Sequence, residues 1–274
     1  MLTAGKSYQL KIVKNDETGI WLDAQNLGEV LLPKKLAPKQ AQEGDLVWAY
    51  LYHDSKERLT ATTQKVKAQV GEFACLKVVS ASAYGVFVDL GLDKDVIIPQ
   101  NQQKRDMEIG RKYLVYLYLD EDGRITATAK TNEYLDQTEA PYEVKDAVNL
   151  LVLNESDLGY NAIINHAHRG VLYRNEVFER LEFGQFKKGF IKRIRPDGKI
   201  DLILQAGKET RDKYSASILK YLEKNDGFAP FHDKSSPEEI NKAFAMSKAA
   251  FKKAIGGLYK TKKIKIESDG IRLI

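Results

Sequence analysis

Between Phe73 and Ala129 the apolar positions come in short runs cut by turn residues, with a period of two inside the runs. Phe73 to Val79 is a β-rich run, Ala81-Ser82-Ala83 a break, Gly85 to Leu90 an alternating strand and Asp95 to Pro99 a short apolar one. After a polar stretch and Gly110 comes a long strand, Lys112 to Leu119. The turn Asp120-Glu121-Asp122-Gly123 then leads into Arg124 to Ala129. The pattern predicts five short strands, each bounded by residues that favour turns. Alternation sets the phase of the second: Val86, Val88 and Leu90 face the core, so Phe87 and Asp89 face outward.

The same pattern occurs earlier at a constant, ungapped offset of 66 residues. Gly19 pairs with Gly85, Asp23 with Asp89, Pro33 with Pro99 and Gly44 with Gly110, and Tyr50-Leu51-Tyr52 returns as Tyr116-Leu117-Tyr118. Arg58 to Thr62 likewise returns as Arg124 to Thr128. Five short strands in about 60 residues suit a small closed barrel of the oligonucleotide-binding (OB) type, and its duplication multiplies binding surfaces. A weaker third copy comes after a linker at Thr138-Glu139-Ala140-Pro141: Gly159, Gly170, Tyr173 and Gly184 continue the pattern, at an offset that drifts from 74 to 75 residues.

Beyond residue 206 the period changes to that of a helix. Ile218, Leu219 and Leu222 mark one over Tyr214 to Lys224. Ser236-Pro237-Glu238-Glu239 is a capping-box start for a second helix, running to about Phe244. Ser247 caps a third, with Phe251, Ala254, Ile255 and Leu258 on one face and Lys248, Lys252, Lys253 and Lys260 largely off it. Ile264 to Ser268 and Ile271 to Ile274 form a closing hairpin on Asp269-Gly270, a dipeptide that tolerates positive φ. Three helices and a hairpin describe a winged helix-turn-helix. The predicted chain is mainly β with a C-terminal α+β module: three tandem five-stranded OB barrels over 1–64, 67–135 and 142–206, and a winged helix over 210–274.

Composition adds location and charge. The chain has 274 residues, 43% hydrophobic and 30% charged, ordinary for a soluble protein. No window approaches a membrane span, and the start lacks a signal-peptide pattern, so a cytoplasmic protein with no membrane partner is expected. Cys75 is the single cysteine, which leaves no disulfide within the chain and reads as a buried structural thiol. Residues 205–274 hold 15 Lys+Arg against 9 Asp+Glu, a net of +6, whereas the rest of the chain nets −1. That excess suits a polyanion partner at the C-terminal end.

Trp21 stands in the first repeat where Phe87 stands in the second. Outward aromatics at equivalent positions, with basic residues nearby, are what sequence-tolerant binding of single strands uses as stacking platforms. Rings packed beneath a loop or a neighbouring domain are the alternative. The string from Tyr84 to Leu90, with Asp120 to Ile125, resembles the RNA-binding domain repeated in ribosomal protein S-one. That resemblance implies an RNA face lined by Tyr84, Phe87, Asp120 and Arg124. The pattern departs at Pro99, where the family commonly has histidine.

The first repeat keeps Trp21, Asp54 and Arg58 but has Thr18 for Tyr84, a poorer site. The third has Asn161, Arg195 and Lys199 where the second has Phe87, Asp120 and Arg124, which suggests a mainly structural or linking role; Tyr160 falls on the core side. Three such barrels and then a winged helix resemble the conserved virulence factor B family of bacterial RNA-binding regulators. The resemblance covers essentially the whole chain and implies RNA binding with an effect on gene expression, without catalysis.

The third helix offers Lys248, Lys252, Lys253 and Lys260 but no arginine, asparagine or glutamine for bidentate base readout, which favours phosphate contact. The winged helix can be read as touching DNA, RNA or a protein partner. Enzymatic motifs are missing: Gly207-Lys208 precedes Glu209 with no upstream glycine, so no phosphate loop is present. His166 and His168 read as surface or loop histidines, which a strand would place on one face. No cofactor and no small-molecule substrate are expected. The expected partner is single-stranded RNA, with DNA-binding regulation through the winged helix as the alternative.

Overall fold

The computed structural model describes residues 1–177, 180–204 and 207–274. It divides into two compact units, Met1–Asp136 and Gln137–Ile274. The first holds two closed five-stranded barrels. Barrel 1 comprises β1 (Ser7–Asn15), β2 (Gly19–Asp23), β3 (Glu29–Pro33), β4 (Leu46–His53) and β5 (Leu59–Thr62). Barrel 2 comprises β6 (Phe73–Ser82), β7 (Gly85–Val88), β8 (Val96–Pro99), β9 (Lys112–Leu119) and β10 (Ile125–Thr128). Both close in the order first, second, third, fifth, fourth, with the third and fifth strands parallel.

The predicted phase holds. Val86, Val88 and Leu90 are buried, as are Ile20 and Leu22 at the corresponding places. The predicted break at Ala81-Ser82-Ala83 is displaced: β6 runs on to Ser82 and pairs with Gly85. A bulge between Val78 and Ser80 re-phases the strand there, as one between Ile12 and Lys14 does in barrel 1. Such a bulge bends the first strand, which lets a short sheet close into a barrel. Glycine opens the second strand of every barrel because its partner strand comes too close for a side chain: a Cβ on Gly85 would lie 2.2 Å from the Ile98 carbonyl oxygen.

The Tyr-Leu-Tyr triplets dock barrels 1 and 2 to the chain segments C-terminal to them. Tyr50 and Tyr52 are buried in the hydrophobic cluster of barrel 2. Tyr116 and Tyr118 stack on Tyr134, with ring centroids 4.2 and 6.0 Å apart. Backbone bonds seal the junction of the two barrels, Val70 N–H donating to the Gly5 carbonyl at 2.8 Å.

The second unit opens with barrel 3, made of β11 (Ala147–Ser156), β12 (Gly159–Ile164), β13 (His168–Tyr173), β14 (Phe186–Ile194) and β15 (Ile200–Ile203), closed in the same order. Tyr160 packs against its core, as its phase predicts. The C-terminal module has α1 (Gly207–Lys224), β16 (Phe228–Ala229), α2 (Pro237–Phe244), α3 (Lys248–Lys260), β17 (Ile264–Ile266) and β18 (Ile271–Leu273). The first helix starts earlier than predicted, and β16, which the sequence pattern does not predict, pairs with β18 to make a three-stranded wing. The α2 capping box forms on Ser236 and Glu239, and Ser247 caps α3. Phe251, Ala254, Ile255 and Leu258 are all buried. The reason for Gly270 differs from the predicted one: it has no positive φ, but a Cβ would lie 2.2 Å from the Ala229 carbonyl oxygen of β16.

Candidate nucleic-acid interface

Register sets one row of side chains across each barrel. In barrel 2 Phe87 on β7 lies opposite Ile97 on β8, which lies opposite Thr126 on β10. Barrel 1 has Trp21, Leu31 and Thr60 in that row, and barrel 3 has Asn161, Val171 and Asp201. Adjacent strands lie about 4.8 Å apart, so each row spans about 10 Å, the scale of a nucleotide and its neighbour.

At the aromatic end Phe87 is half-buried rather than freely exposed, while Tyr84, in the turn before it, is 81% exposed. Trp21 is also half-buried. Its indole N–H donates to Asp16 Oδ2 at 3.0 Å, and Lys14 Nζ lies 6.0 Å from the ring centroid. Lys14 pairs with the same carboxylate at 2.8 Å. The Lys14 and Thr18 hydrogen bonds hold the Asp16 carboxyl far below its ordinary range. Thr18, the counterpart of Tyr84, is thereby used to build the Asp16 turn.

At the other end the acid and the arginine are one structural device. Asp120 Oδ1 accepts the backbone N–H of Asp122 at 3.1 Å and of Arg124 at 2.9 Å, closing the turn, and Oδ2 accepts from Arg124 Nε at 3.0 Å. Asp54 does the same with Lys56 and Arg58, Arg58 Nη2 reaching it at 2.7 Å. Burial works against both carboxylates, but the arginine and backbone donors outweigh it and keep them below their ordinary values. The aspartates are therefore occupied in ordering the turn. What is left toward solvent is the outer part of each guanidinium, with the Arg58 and Arg124 side chains 65% and 49% exposed and Arg124 Nη2 also paired with Asp122 at 2.7 Å. Such a pre-oriented fork suits a phosphate.

Barrel 3 departs in a way its sequence conceals. Asn161 lies half-buried in the row, its Nδ2 donating to the Asn154 carbonyl at 3.4 Å. Arg195 pairs with Asp201 at 2.8 Å, Arg193 approaches it at 3.4 Å, and Tyr173 donates its hydroxyl proton to it at 3.2 Å. Lys199 pairs with Asp197 at 2.9 Å. The Tyr173 ring has the Lys192 and Arg195 cations 5.9 and 5.8 Å from its centroid. Tyr173 faces Gly159 as Pro99 faces Gly85, so the third barrel carries an aromatic at the position where the first two have proline. The 74-residue offset already points to that position, but a ring sought only at residue 161 misses it.

On α3, Lys253 and Lys260 are exposed, Lys248 is half-buried and Lys252 lies 3.9 Å from Asp233. Tyr259, unnoticed in the sequence, is 57% exposed on the same helix, two turns on from Lys252 and on the same side of it. The histidines do not share a strand face: His166 sits in a turn at φ 56°, and His168 is buried on β13 with Nδ1 3.2 Å from the Tyr142 hydroxyl. Half-buried Cys75 has its thiol pushed up to about 12 by burial, so it stays protonated.

Residues 4–64 and 70–130 match the S1 domain and residues 216–273 the CvfB-like winged helix domain. An uncharacterized protein, YitL, of Bacillus subtilis (strain 168) is 28% identical over 95% of this chain and 90% of its own. Conserved virulence factor B of Staphylococcus saprophyticus is 27% identical over 98% of this chain and 90% of its own. A solved multidomain protein with nucleic acid binding domains from Streptococcus pneumoniae TIGR4 is 25% identical, covering 99% of this chain and 98% of that one at a TM-score of 0.42. No helix among the described residues is long and apolar enough to cross a membrane.

Proposed function

We propose, for a chain that belongs by its first two barrels to the S1 domains and by its C-terminal module to the CvfB-like winged helix domains, that it is a single-stranded RNA-binding regulator of gene expression. It is a binding protein of the cytoplasm rather than an enzyme. The observation that carries this reading is the row repeated in barrels 1 and 2, with an aromatic ring at one end and a turn-held arginine at the other. Bases stack on Trp21, Tyr84 and Phe87 while phosphates meet Arg58 and Arg124, a division of labour that tolerates many sequences. The lysines of α3 add phosphate contacts without base readout.

The row favours RNA or DNA single strands over duplex, because a stacked, paired base has no free face to offer. The test compares binding of the full chain to single-stranded RNA, single-stranded DNA and duplex DNA of one length at two salt concentrations. Tightest binding to the RNA single strand, with a negative slope of log affinity on log salt, is the expected result. Tighter binding to duplex DNA would transfer the function to the winged helix.

A further inference from the structure

The closing turn of barrel 1 holds a residue that its repeats do not. Gly123 and Gly198 occupy the left-handed position in barrels 2 and 3, at φ 74° and 77°; barrel 1 has Glu57 there, at φ 57°. A side chain in that region is strained, and a strained position persists only where something else fixes it. The backbone of the turn is fixed within barrel 1, where Glu57 N–H donates to the Asp54 carbonyl at 3.0 Å, but the side chain that this conformation presents reaches the neighbouring barrel. Glu57 Oε1 accepts from Lys94 Nζ at 2.7 Å, and the same ammonium donates to the Asp54 carbonyl at 3.2 Å. Beside it the Tyr52 hydroxyl donates to Asp93 Oδ1 at 2.8 Å.

Asp93 and Lys94 belong to the loop between β7 and β8 and have no counterpart in barrel 1, where Leu27 and Gly28 stand. The grip was thus built at this junction and not inherited from the repeat. It lies over a packed seam: Tyr50 and Tyr52 are buried against barrel 2, and Ser7 N–H donates to Gln69 Oε1 at 2.7 Å. An ion pair with side chains 57% and 33% exposed adds little to folding stability. Its consequence is orientation, because the turn that carries Glu57 also carries Arg58.

We propose that Glu57 is a positioning residue which, with Lys94, locks the closing turn of barrel 1 onto barrel 2, so that the two ligand faces form one rigid track for a single nucleic-acid strand. The proposal rests on the reading that both faces bind single strands. A rigid tandem keeps the second binding event intramolecular at a fixed geometry, whereas a loosened one spreads it over many geometries and lowers the effective concentration.

The test uses the full chain as native, Glu57→Gln, Glu57→Gly and the reversed pair Glu57→Lys with Lys94→Glu. Oligouridylates short enough for one barrel and long enough for both are titrated against each. Thermal midpoints and the relative alignment of barrels 1 and 2, from residual dipolar couplings, are measured alongside. Loss of the latch should weaken long-oligonucleotide binding by about threefold to tenfold and leave the short one unchanged. The reversed pair should restore it. Glu57→Gly separates positioning from stability: it relieves the backbone strain, so the midpoint holds or rises while long-strand binding falls. Unchanged long-strand binding in both single variants overturns the proposal, as does tighter binding of Glu57→Gln to both lengths, which would make Glu57 a competitor of phosphate. If the native chain binds no oligonucleotide, the function reading fails, and the couplings alone decide whether the latch aligns the barrels.

Discussion

Barrel 2 keeps its acid in the closing turn, as Asp120, and pairs it with Arg124 just before the return strand; barrel 3 puts Arg195 in that turn and moves the acid onto the last strand, as Asp201. Both barrels tie the turn to the strand by one carboxylate and one guanidinium, with the signs exchanged. The Asp120 side chain is 25% exposed and also accepts two backbone N–H bonds, whereas that of Asp201 is 6% exposed and is held by Arg195, Arg193 and the Tyr173 hydroxyl. The tie is thus a requirement of the fold, and its polarity is free. What changes with polarity is the proposed ligand face: a row ending in Phe87 and Thr126 becomes one ending in Asn161 and a buried acid, with an aromatic at Tyr173.

The sharpest way to break the comparison is to remove the acid from barrel 3. Asp201→Ala strands Arg195, 27% exposed, beside an emptied site. It should destabilise barrel 3 by about 2–3 kcal/mol, less than for a fully buried pair because both arginines keep some water. Thr126→Ala, at the same register in barrel 2, should cost under about 1 kcal/mol. Amide hydrogen exchange in the full chain reads each barrel separately; equal losses at the two positions would remove the claimed exchange of polarity.

Next in size is the ligand face. Phe87→Ala should weaken single-stranded RNA binding by about 1–3 kcal/mol, the usual worth of one stacking ring. Because Phe87 is half-buried, some stability goes with it, so the matching measurement is the unfolding midpoint. Asn161→Ala should leave affinity where it was, while Tyr173→Ala lowers it if barrel 3 has moved its aromatic contact. A loss for Asn161→Ala as large as for Phe87→Ala would show that the two rows do the same work.

Much of this architecture could be read in the sequence because its signals are local. Val86, Val88 and Leu90 declare a strand phase, Ser236 with Glu239 and Ser247 declare helix starts, and the 66-residue offset declares two barrels. What stayed hidden depends on partners distant in the chain. The extension of β6 through Ala81 and Ser82 comes from pairing with β7, not from β propensity, and the two residues of β16 are a strand only because β18 lies beside them. Gly270 looked like a turn glycine and proved to be a clearance glycine. Phe87 was legible as outward, but its half-burial was not, since alternation gives direction and says nothing of neighbours. Tyr173 was legible as a repeat position but not as a ring of the face, because its contacts with Asp201, Lys192 and Arg195 come from other strands, and Glu57 was hidden because its meaning lies in Lys94, in another barrel.

A smaller effect separates the barrels from the winged helix. Lys248, Lys252 and Lys253 changed together to alanine should lower the slope of log affinity on log salt by about 2, each phosphate contact being worth roughly 0.7–0.9 and Lys252 being drawn toward Asp233. Phe87→Ala should leave that slope nearly unchanged, as stacking releases no counterions. If the lysine variant keeps the native slope, α3 does not meet the nucleic acid and a protein partner becomes its better occupant.

The smallest effect is acid sensitivity, which should differ between the two units. In the first, Asp16, Asp54, Glu57, Asp89 and Asp120 have carboxyls held below their ordinary values of 3.8 for aspartate and 4.5 for glutamate, against Asp95, which burial pushes up. In the second, among the described residues, Asp197 stands in that position, held by Lys199. A carboxyl lowered on folding binds protons more weakly in the native state than in the unfolded one. Its contribution is therefore complete above the ordinary value and is lost as the pH falls through the lowered one. Acid should loosen the first unit before the second, beginning below about pH 4.5 with the Glu57–Lys94 pair. These groups are largely at the surface, so each contributes little and high salt should screen much of the difference. Amide exchange monitored from pH 6 to pH 3 at low and at 1 M salt tests it: earlier opening of barrel 3 than of barrels 1 and 2, or a difference indifferent to salt, would show that these surface pairs do not set the acid response.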